Sequence, residues 1–381
     1  MKVLFTAVDA WGHVNPMVPL ARAFVARGDE VMWGSGAASC ERLARDGFAV
    51  AQCGLSEQEF AVGRGRILAS LAELPPPERP KVGFGKIFGG LLPGPMLNDL
   101  LPVVQDWKPD LVISEPAELA APIAAALVGA RSITHSWGIA LPEQRVSDAS
   151  DLVAALWSEH GLEPRPLGGK FDELYIDVFP PSLPQGPTGH FGEVQRMRLD
   201  VFAGAPHEDL AWLDTSSDVP LVYVTFGTVF NDVAAVGQAV EAVRDLPVRV
   251  VVTTGPNNDP SVIGPQPENV YVARYVPQDQ LLPHCAAVVS HGGSGTFLAS
   301  LIAGLPQLCL PQGADQFLNG EACAKSGTGL ALEPGEATIE SIRAAVKRLL
   351  TEDAFRQAAR QISTDIATMP SPADVAEILA R

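Results

Sequence analysis

Nowhere in the 381 residues do 18 apolar residues run on without a charge, so no membrane span is expected. The first residues carry one lysine and no long apolar stretch, so no signal peptide is predicted either. Basic residues are scarce: 27 Lys and Arg stand against 44 Asp and Glu, a net charge of -17. That sign of charge repels phosphate backbones and anionic headgroups, which argues against nucleic acid and anionic membrane surfaces as partners. Cysteine is sparse and odd in number. Cys40, Cys53, Cys285, Cys309 and Cys323 are scattered without a C-x-x-C pair, so neither a zinc site nor a disulfide framework is indicated. Buried reduced thiols in a cytoplasmic protein fit that pattern.

What is present is ample apolar material, 47% of the chain, in a length that predicts two or three domains at roughly 100–200 residues each. The first half opens with the strand "KVLFTAV" and the helix "NPMVPLARAFVARG", for which Asn15 and Pro16 are suited to N-cap and N1 and Gly28 to the C-cap. "EVMWGS", "FAVAQCG", "DLVISEP" and "RSITHSW" read as further strands, the last two separated by a small-residue helix. This alternation predicts a mostly parallel sheet covered on both faces. Residues 64–95, rich in glycine and proline, read as a long, partly helical excursion of the kind that forms functional loops. Residues 177–206 carry a high proline content and read as a linker or domain-crossing segment. The second half restarts the pattern with "LVYVTFGT", "VRVVVTTG", "VYVARYV" and "AAVVSHGGSGTFLASLIAGLPQLCLP". The closing "SPADVAEILAR" reads as a helix capped by Ser371-Pro372.

The strongest chemical signal is "SHGGSGTFLASLIAGLP". A strand ends, Gly292, Gly293 and Gly295 turn the chain, and Thr296 lies at a helix start. Amide groups and the dipole at such a start form an anion site, to which His291 and the Thr296 hydroxyl can add bonds. Asp315-Gln316 follow the next strand, where a carboxylate and an amide can grip sugar hydroxyls. A second glycine turn, Gly227-Thr228, ends another strand of this half. Ligands of such sheets bind at the carboxyl edge where these turns lie.

"VPQ", "HGGSGT", "GLPQLCLP" and "DQ", spaced from Val276 to Gln316, closely resemble the donor signature of the family 1 nucleotide-sugar glycosyltransferases. The likeness is nearest to the bacterial branch that attaches deoxysugars to polyketides and other natural products. "GHVNPMVPLARAFVARGDEV" and "FPPSLP" also look like that branch, and only residues 54–100 fall outside the resemblance. It implies an α/β chain of the GT-B fold: two Rossmann-like domains with parallel sheets facing across a cleft. An acceptor domain would span 1–200, a donor domain 207–365, and a helix at 366–381 would cross back. Val276, Pro277 and Gln278 would then meet the nucleobase. His291, Gly293, Ser294, Gly295 and Thr296 would hold the diphosphate, closed by Gly227 and Thr228, and Asp315 and Gln316 would read the sugar. Ser290 stands where many relatives have a first histidine.

The histidine of "GHVNP", His13, is by the same resemblance the general base. An imidazole, ordinarily near pKa 6.5, suits proton removal at neutral pH. Such a base needs an orienting carboxylate. The end of the strand "DLVIS" delivers Glu115, where the branch more often has aspartate, and Glu118 is the alternative; both also fit first-turn acids favoured by a helix dipole. His135, Trp11, Phe84, Phe88, Met96 and Trp137 are candidate walls for a flat apolar acceptor. No Asp-x-Asp motif occurs, so no metal and no cofactor are expected beyond the nucleotide-sugar co-substrate, taken as dTDP-linked or UDP-linked. The implied activity is inverting transfer of a sugar to a hydroxyl of a small hydrophobic aglycone. Two other readings stay open: an epimerase or hydrolase on the same fold, and a catalytically silent nucleotide-binding partner. The resemblance also allows a homodimer.

Overall fold

A computed structural model describes residues 1–74, 79–200, 218–227, 233–255 and 258–381. The chain divides into two compact units: Met1–Val178 with Gly186–Leu199 and Pro370–Arg381, and Phe179–Gln185 with Asp200–Met369.

In the first unit seven parallel strands lie in the order β3-β2-β1-β4-β5-β6-β7. They are β1 Lys2–Thr6, β2 Glu30–Ser35, β3 Ala49–Gln52, β4 Leu111–Ser114, β5 Arg131–His135, β6 Leu174–Asp177 and β7 Glu193–Arg196. The central strands β1 and β4 are apolar runs buried on both faces, as sheets covered by helices on each side require. The strand order reverses between β1 and β4, which pair directly. Chains leaving the carboxyl ends of those two strands diverge to opposite faces and open a crevice there.

The second unit repeats the plan with six parallel strands in the order β10-β9-β8-β11-β12-β13. These are β8 Leu221–Thr225, β9 Arg249–Thr253, β10 Val270–Ala273, β11 Ala287–Ser290, β12 Gln307–Cys309 and β13 Gly329–Ala331. Its reversal falls between β8 and β11. All five cysteines are buried and unpaired.

Several elements differ from the sequence reading. The first helix begins at Trp11, because the Ala10 carbonyl already accepts the amides of His13 (3.0 Å) and Val14 (3.1 Å). Asn15 is therefore helical rather than an N-cap. Pro16 and Pro19 lack amide hydrogens, so the ladder breaks into a 3₁₀ turn, Asn15–Met17, before the helix Val18–Ala26. Gly28, at φ 89°, does end that helix. The excursion is mostly helical, with helices Glu57–Leu71 and Pro93–Trp107 and a π-helical stretch, Gly85–Leu91. Residues 82–107 run on as helix, long and apolar enough to cross a membrane by length and composition, but Met96, Leu97, Leu100 and Val104 bury one stripe in the first unit's core.

Within 177–206 the division between the units falls after Val178, Gln185 and Leu199, and the stretch is not all linker: it forms β7, a four-residue strand at the sheet edge, while residues 201–206 lie outside the described residues. At the other end, the helix Asp353–Thr368 belongs to the second unit, so the return begins at Pro370 rather than 366. The last helix, Pro372–Leu379, has the expected Ser371 cap and packs on Val18–Ala26 within the first unit.

Candidate active site

In the first unit, the turn after β1 holds His13 and the turn after β4 holds Glu115, so the strand-order reversal brings them together. His13 Nδ1 lies 3.1 Å from Glu115 Oε1; the imidazole is about a fifth exposed and the carboxylate fully buried. The approach is within ion-pair range but off the axis of a good hydrogen bond. Catalytic pairs without substrate are often aligned this loosely. Glu115 is held from two further sides, by the Val8 amide at 3.2 Å and the Ala117 amide at 2.6 Å. Burial pushes its carboxyl up, but the charge and N–H of His13, the Ala117 amide and the charge of Lys170 together hold it below the ordinary carboxylate range. It is thus an anion placed behind the imidazole. The longer arm of glutamate reaches His13 without leaving its own amide contacts.

Glu118 does something else. Its carboxylate accepts from Thr6 Oγ1 (2.7 Å) and from the amides of Ala120 (2.8 Å) and Ala121 (3.1 Å), capping the helix Ala121–Val128. Burial raises its pKa. The alternative partner for His13 is a capping residue beneath it.

Aromatic rings surround the imidazole. Trp137 meets it edge-on at 4.5 Å and Phe88, on the π-helical stretch, stacks at 6.1 Å with Phe84 4.7 Å further on. Two other acceptor candidates stand elsewhere. Met96 is core, and Trp11 lies under the Arg42 guanidinium at 4.4 Å. His135 is fully buried; its Nδ1 donates to the Ser136 carbonyl at 2.6 Å, and burial pulls its pKa down to about 4. A ring so enclosed is a structural element of β5.

In the second unit, His291 follows β11 and Gly227 follows β8, again at the reversal. Glycine is required on both sides of the ring. A Cβ on Gly293 would lie 2.6 Å from His291 Nε2, and one on Gly227, at φ 72°, would lie 2.8 Å from Cε1. Burial pulls the His291 pKa down to about 4, against a weaker upward pull from Asp315, so the ring is neutral at pH 7. Ser290, buried, accepts the Gly292 amide at 3.1 Å and shapes the turn. The helix Ser294–Ile302 starts at Gly293 with no side-chain cap of its own. Gly295, exposed in its first turn, has nothing within 4 Å of a built Cβ. Protein packing does not demand glycine there, whereas close approach of a ligand to the backbone would.

The Asp315 carboxylate accepts from Ser294 Oγ (2.6 Å), the Ser294 amide (3.3 Å) and Asn319 Nδ2 (3.2 Å). Ala314, just before it, is held at φ 55°, a conformation that costs a non-glycine residue. Gln316 departs from expectation: it is buried, and its Oε1 accepts the amides of Gln312 and Gly313. That carbonyl holds the protein's own loop. Gln278 Nε2 donates to Thr296 Oγ1 at 3.0 Å, Pro277 starts the short helix Gln278–Leu281, and the Val276 side chain is core. Thr228 lies outside the described residues.

Two residues escaped the sequence reading. Asn319 joins Gly292, Ser294 and Asp315, and its spacing of four from Asp315 on a helix was the available signal. Lys170 is buried against the Glu115 turn, and only the preceding glycine pair hints at a tight approach. Among the described residues no group of three His, Cys, Asp or Glu is placed to hold a metal ion.

The family model described as "Erythromycin biosynthesis protein CIII-like, C-terminal domain" matches residues 238–381, and its N-terminal counterpart matches 80–227. The elloramycin glycosyltransferase ElmGT of Streptomyces olivaceus is 30% identical over 99% of this chain and 96% of its own length. The aclacinomycin-T 2-deoxy-L-fucose transferase of Streptomyces galilaeus is 29% identical over 100% and 96%. Among solved structures, the glycosyltransferase SsfS6 of Streptomyces sp. SF2575 complexed with thymidine diphosphate superposes with a TM-score of 0.82. It is 28% identical, covering 100% of this chain and 99% of the other. VinC in complex with dTDP gives 0.80 at 27% identity, covering 100% and 99%.

Proposed function

Because this chain belongs to the EryCIII-like family of antibiotic-biosynthesis glycosyltransferases, with the GT-B fold, we propose that it transfers a deoxysugar with inversion. The donor is a dTDP- or UDP-linked sugar, and the acceptor is a hydroxyl on a small hydrophobic aglycone. The observation that carries this reading is the His13–Glu115 pair among aromatic rings at the first unit's strand-order reversal.

His13 accepts the hydroxyl proton at Nε2 as the acceptor oxygen attacks the anomeric carbon. The bond from that carbon to the diphosphate oxygen breaks, and the nucleoside diphosphate departs with the electron pair. One displacement inverts the centre. Glu115 stabilises the imidazolium that forms, from the Nδ1 side. Phe88, Phe84 and Trp137 supply flat apolar walls to the acceptor.

The donor diphosphate is bound by the amides opening the helix Ser294–Ile302 and by a neutral His291 donating one N–H. Asp315 reads the sugar once the ligand takes over its hold on Ser294. Two related structures, VinC and SsfS6, are complexes with thymidine diphosphate, which supports a dTDP-linked donor. No resident metal is assigned, so turnover is expected to persist in EDTA.

The test is mass spectrometry of products from a panel of dTDP- and UDP-sugars with polyphenolic and macrolide acceptors. His13→Ala is expected to lower turnover by about 10²–10⁴-fold, with dTDP binding by calorimetry unchanged. Unchanged turnover would remove the base assignment. Donor cleavage at the same rate without acceptor would favour the hydrolase or epimerase reading instead.

A further inference from the structure

The chemistry above makes no use of one buried ionisable group. Lys170 is 1% exposed, and its Nζ donates to Ser114 Oγ and, at 3.1 Å, to the backbone carbonyl of Glu118. Those two acceptors bracket the turn that carries Glu115. The lysine's own carbonyl accepts from Thr134 Oγ1 on β5, tying it to the neighbouring strand.

The chain reaches this position through costly backbone. Leu167 sits at φ 50°, ψ 29°, and Gly168 and Gly169 follow at φ 65° and 76°. A left-handed conformation is costly for a leucine, and such conformations persist where the surroundings impose them, often at functional sites. The glycines also fit tightly. A Cβ would lie 3.1 Å from Leu119 at one and 3.3 Å from Pro122 at the other. A buried ammonium adds its own desolvation cost, and an apolar side chain of similar length would fill the space more cheaply. Such a replacement would provide neither the two N–H bonds to the turn nor a positive charge beside two buried carboxylates.

We propose that Lys170 is a positioning residue for the base, fixing the Ser114–Glu118 turn and supplying the counter-charge that keeps Glu115 an anion behind His13. This rests on the reading of His13 as the general base. Direct support comes from charge: Lys170 lowers the pKa of both glutamates, whereas Glu115 raises that of Glu118. Without the ammonium, two buried carboxylates within one turn compete for a single proton. A protonated Glu115 no longer stabilises an imidazolium.

The experiment is a double-mutant cycle on kcat and KM with Lys170→Met and Glu115→Gln. Lys170→Met alone is expected to lower kcat by about tenfold or more, with the donor KM and the dTDP affinity unchanged. In the Glu115→Gln background the same substitution is expected to cost less than about twofold, because no charge is left to hold. Losses that multiply, or a Lys170→Met loss confined to KM, overturn the proposal.

Should Lys170→Met fail to fold, Ser114→Ala removes one Nζ acceptor and keeps the cation. Its loss in kcat is expected to vanish in the Glu115→Gln background, and persistence there overturns the proposal equally. His13→Ala measured alongside separates the two readings. An active His13→Ala removes the base and the proposal with it, whereas an inactive one with an additive cycle removes the role of Lys170 alone.

Discussion

Two histidines in this chain are neutral rings by virtue of burial. His135 in the first unit and His291 in the second are each pulled down to about 4. In the proposed donor site a neutral His291 would meet an anion at neutral pH as an N–H dipole, adding no charge to the helix start beside it. The same burial makes both units acid-sensitive. Between pH 6.5 and 4 the unfolded chain binds a proton at each ring and the folded chain does not, so stability rises with pH across that window. Lowering the pH from 7 to 5 is expected to cost about 2 kcal/mol at each ring. Urea unfolding at the two pH values checks this. In His135→Gln the first unit's share of that loss should disappear; a loss that stays the same assigns it to other groups. Glu115 works at lower pH. Its depressed pKa contributes stability present above the ordinary carboxyl range and lost as pH falls through the folded value.

Among the elements, the π-helical stretch Gly85–Leu91 decides which aromatic ring reaches His13. It packs on the helix Glu143–Glu159 through Gly89, where a Cβ would stand 2.2 Å from the Ala149 carbonyl oxygen and 2.7 Å from its Cα. Backbone cannot yield as a side-chain tip can. Gly89→Ala is expected to lift the stretch, withdraw Phe88 from the imidazole, and cost about 1–3 kcal/mol of stability. Kinetically the acceptor KM should rise with dTDP affinity unchanged; an unchanged acceptor KM would show that Phe88 is no wall of the site. This element also shows where sequence reading succeeded and where it ran out. The phenylalanines were visible as aromatics in a glycine-rich excursion, but a π turn has no residue pattern that separates it from an α turn, so their facing was not. Met96, read as an acceptor wall, lies in the core instead, and the signal for that was present: Met96, Leu97, Leu100 and Val104 form one helical stripe. The edge strand β7 was illegible because its one apolar residue, Val194, is exposed and stands among three polar ones, which makes no apolar alternation.

At the scale of the molecule, each unit reverses its strand order between its first and fourth strands in chain order and keeps a histidine there: His13 after β1, His291 after β11. That much was legible, since strand, glycine turn and helix are contiguous in the chain. Contacts between distant segments were not. Lys170 reaches Ser114 across 56 residues, and Arg131 reaches the Leu379 carbonyl across 248. The second of these concerns the chain's return. All the described donor candidates lie in the second unit, yet the first unit is completed only by the last residues. There Pro372, Val375, Ala376 and Leu379 are buried, Arg27 pairs with Glu377 at 3.2 Å, and the Arg198 amide donates to the Pro370 carbonyl at 2.9 Å. Burial of the valine and leucine alone contributes on the order of 4 kcal/mol. Removing residues 370–381 is thus expected to destabilise the first unit by at least that much and to abolish transfer, while the second unit keeps its dTDP affinity. Calorimetric scans with and without dTDP read both effects at once. The nucleotide should still raise the second unit's transition in the truncated chain, and loss of that shift would mean that the donor site depends on the first unit's integrity.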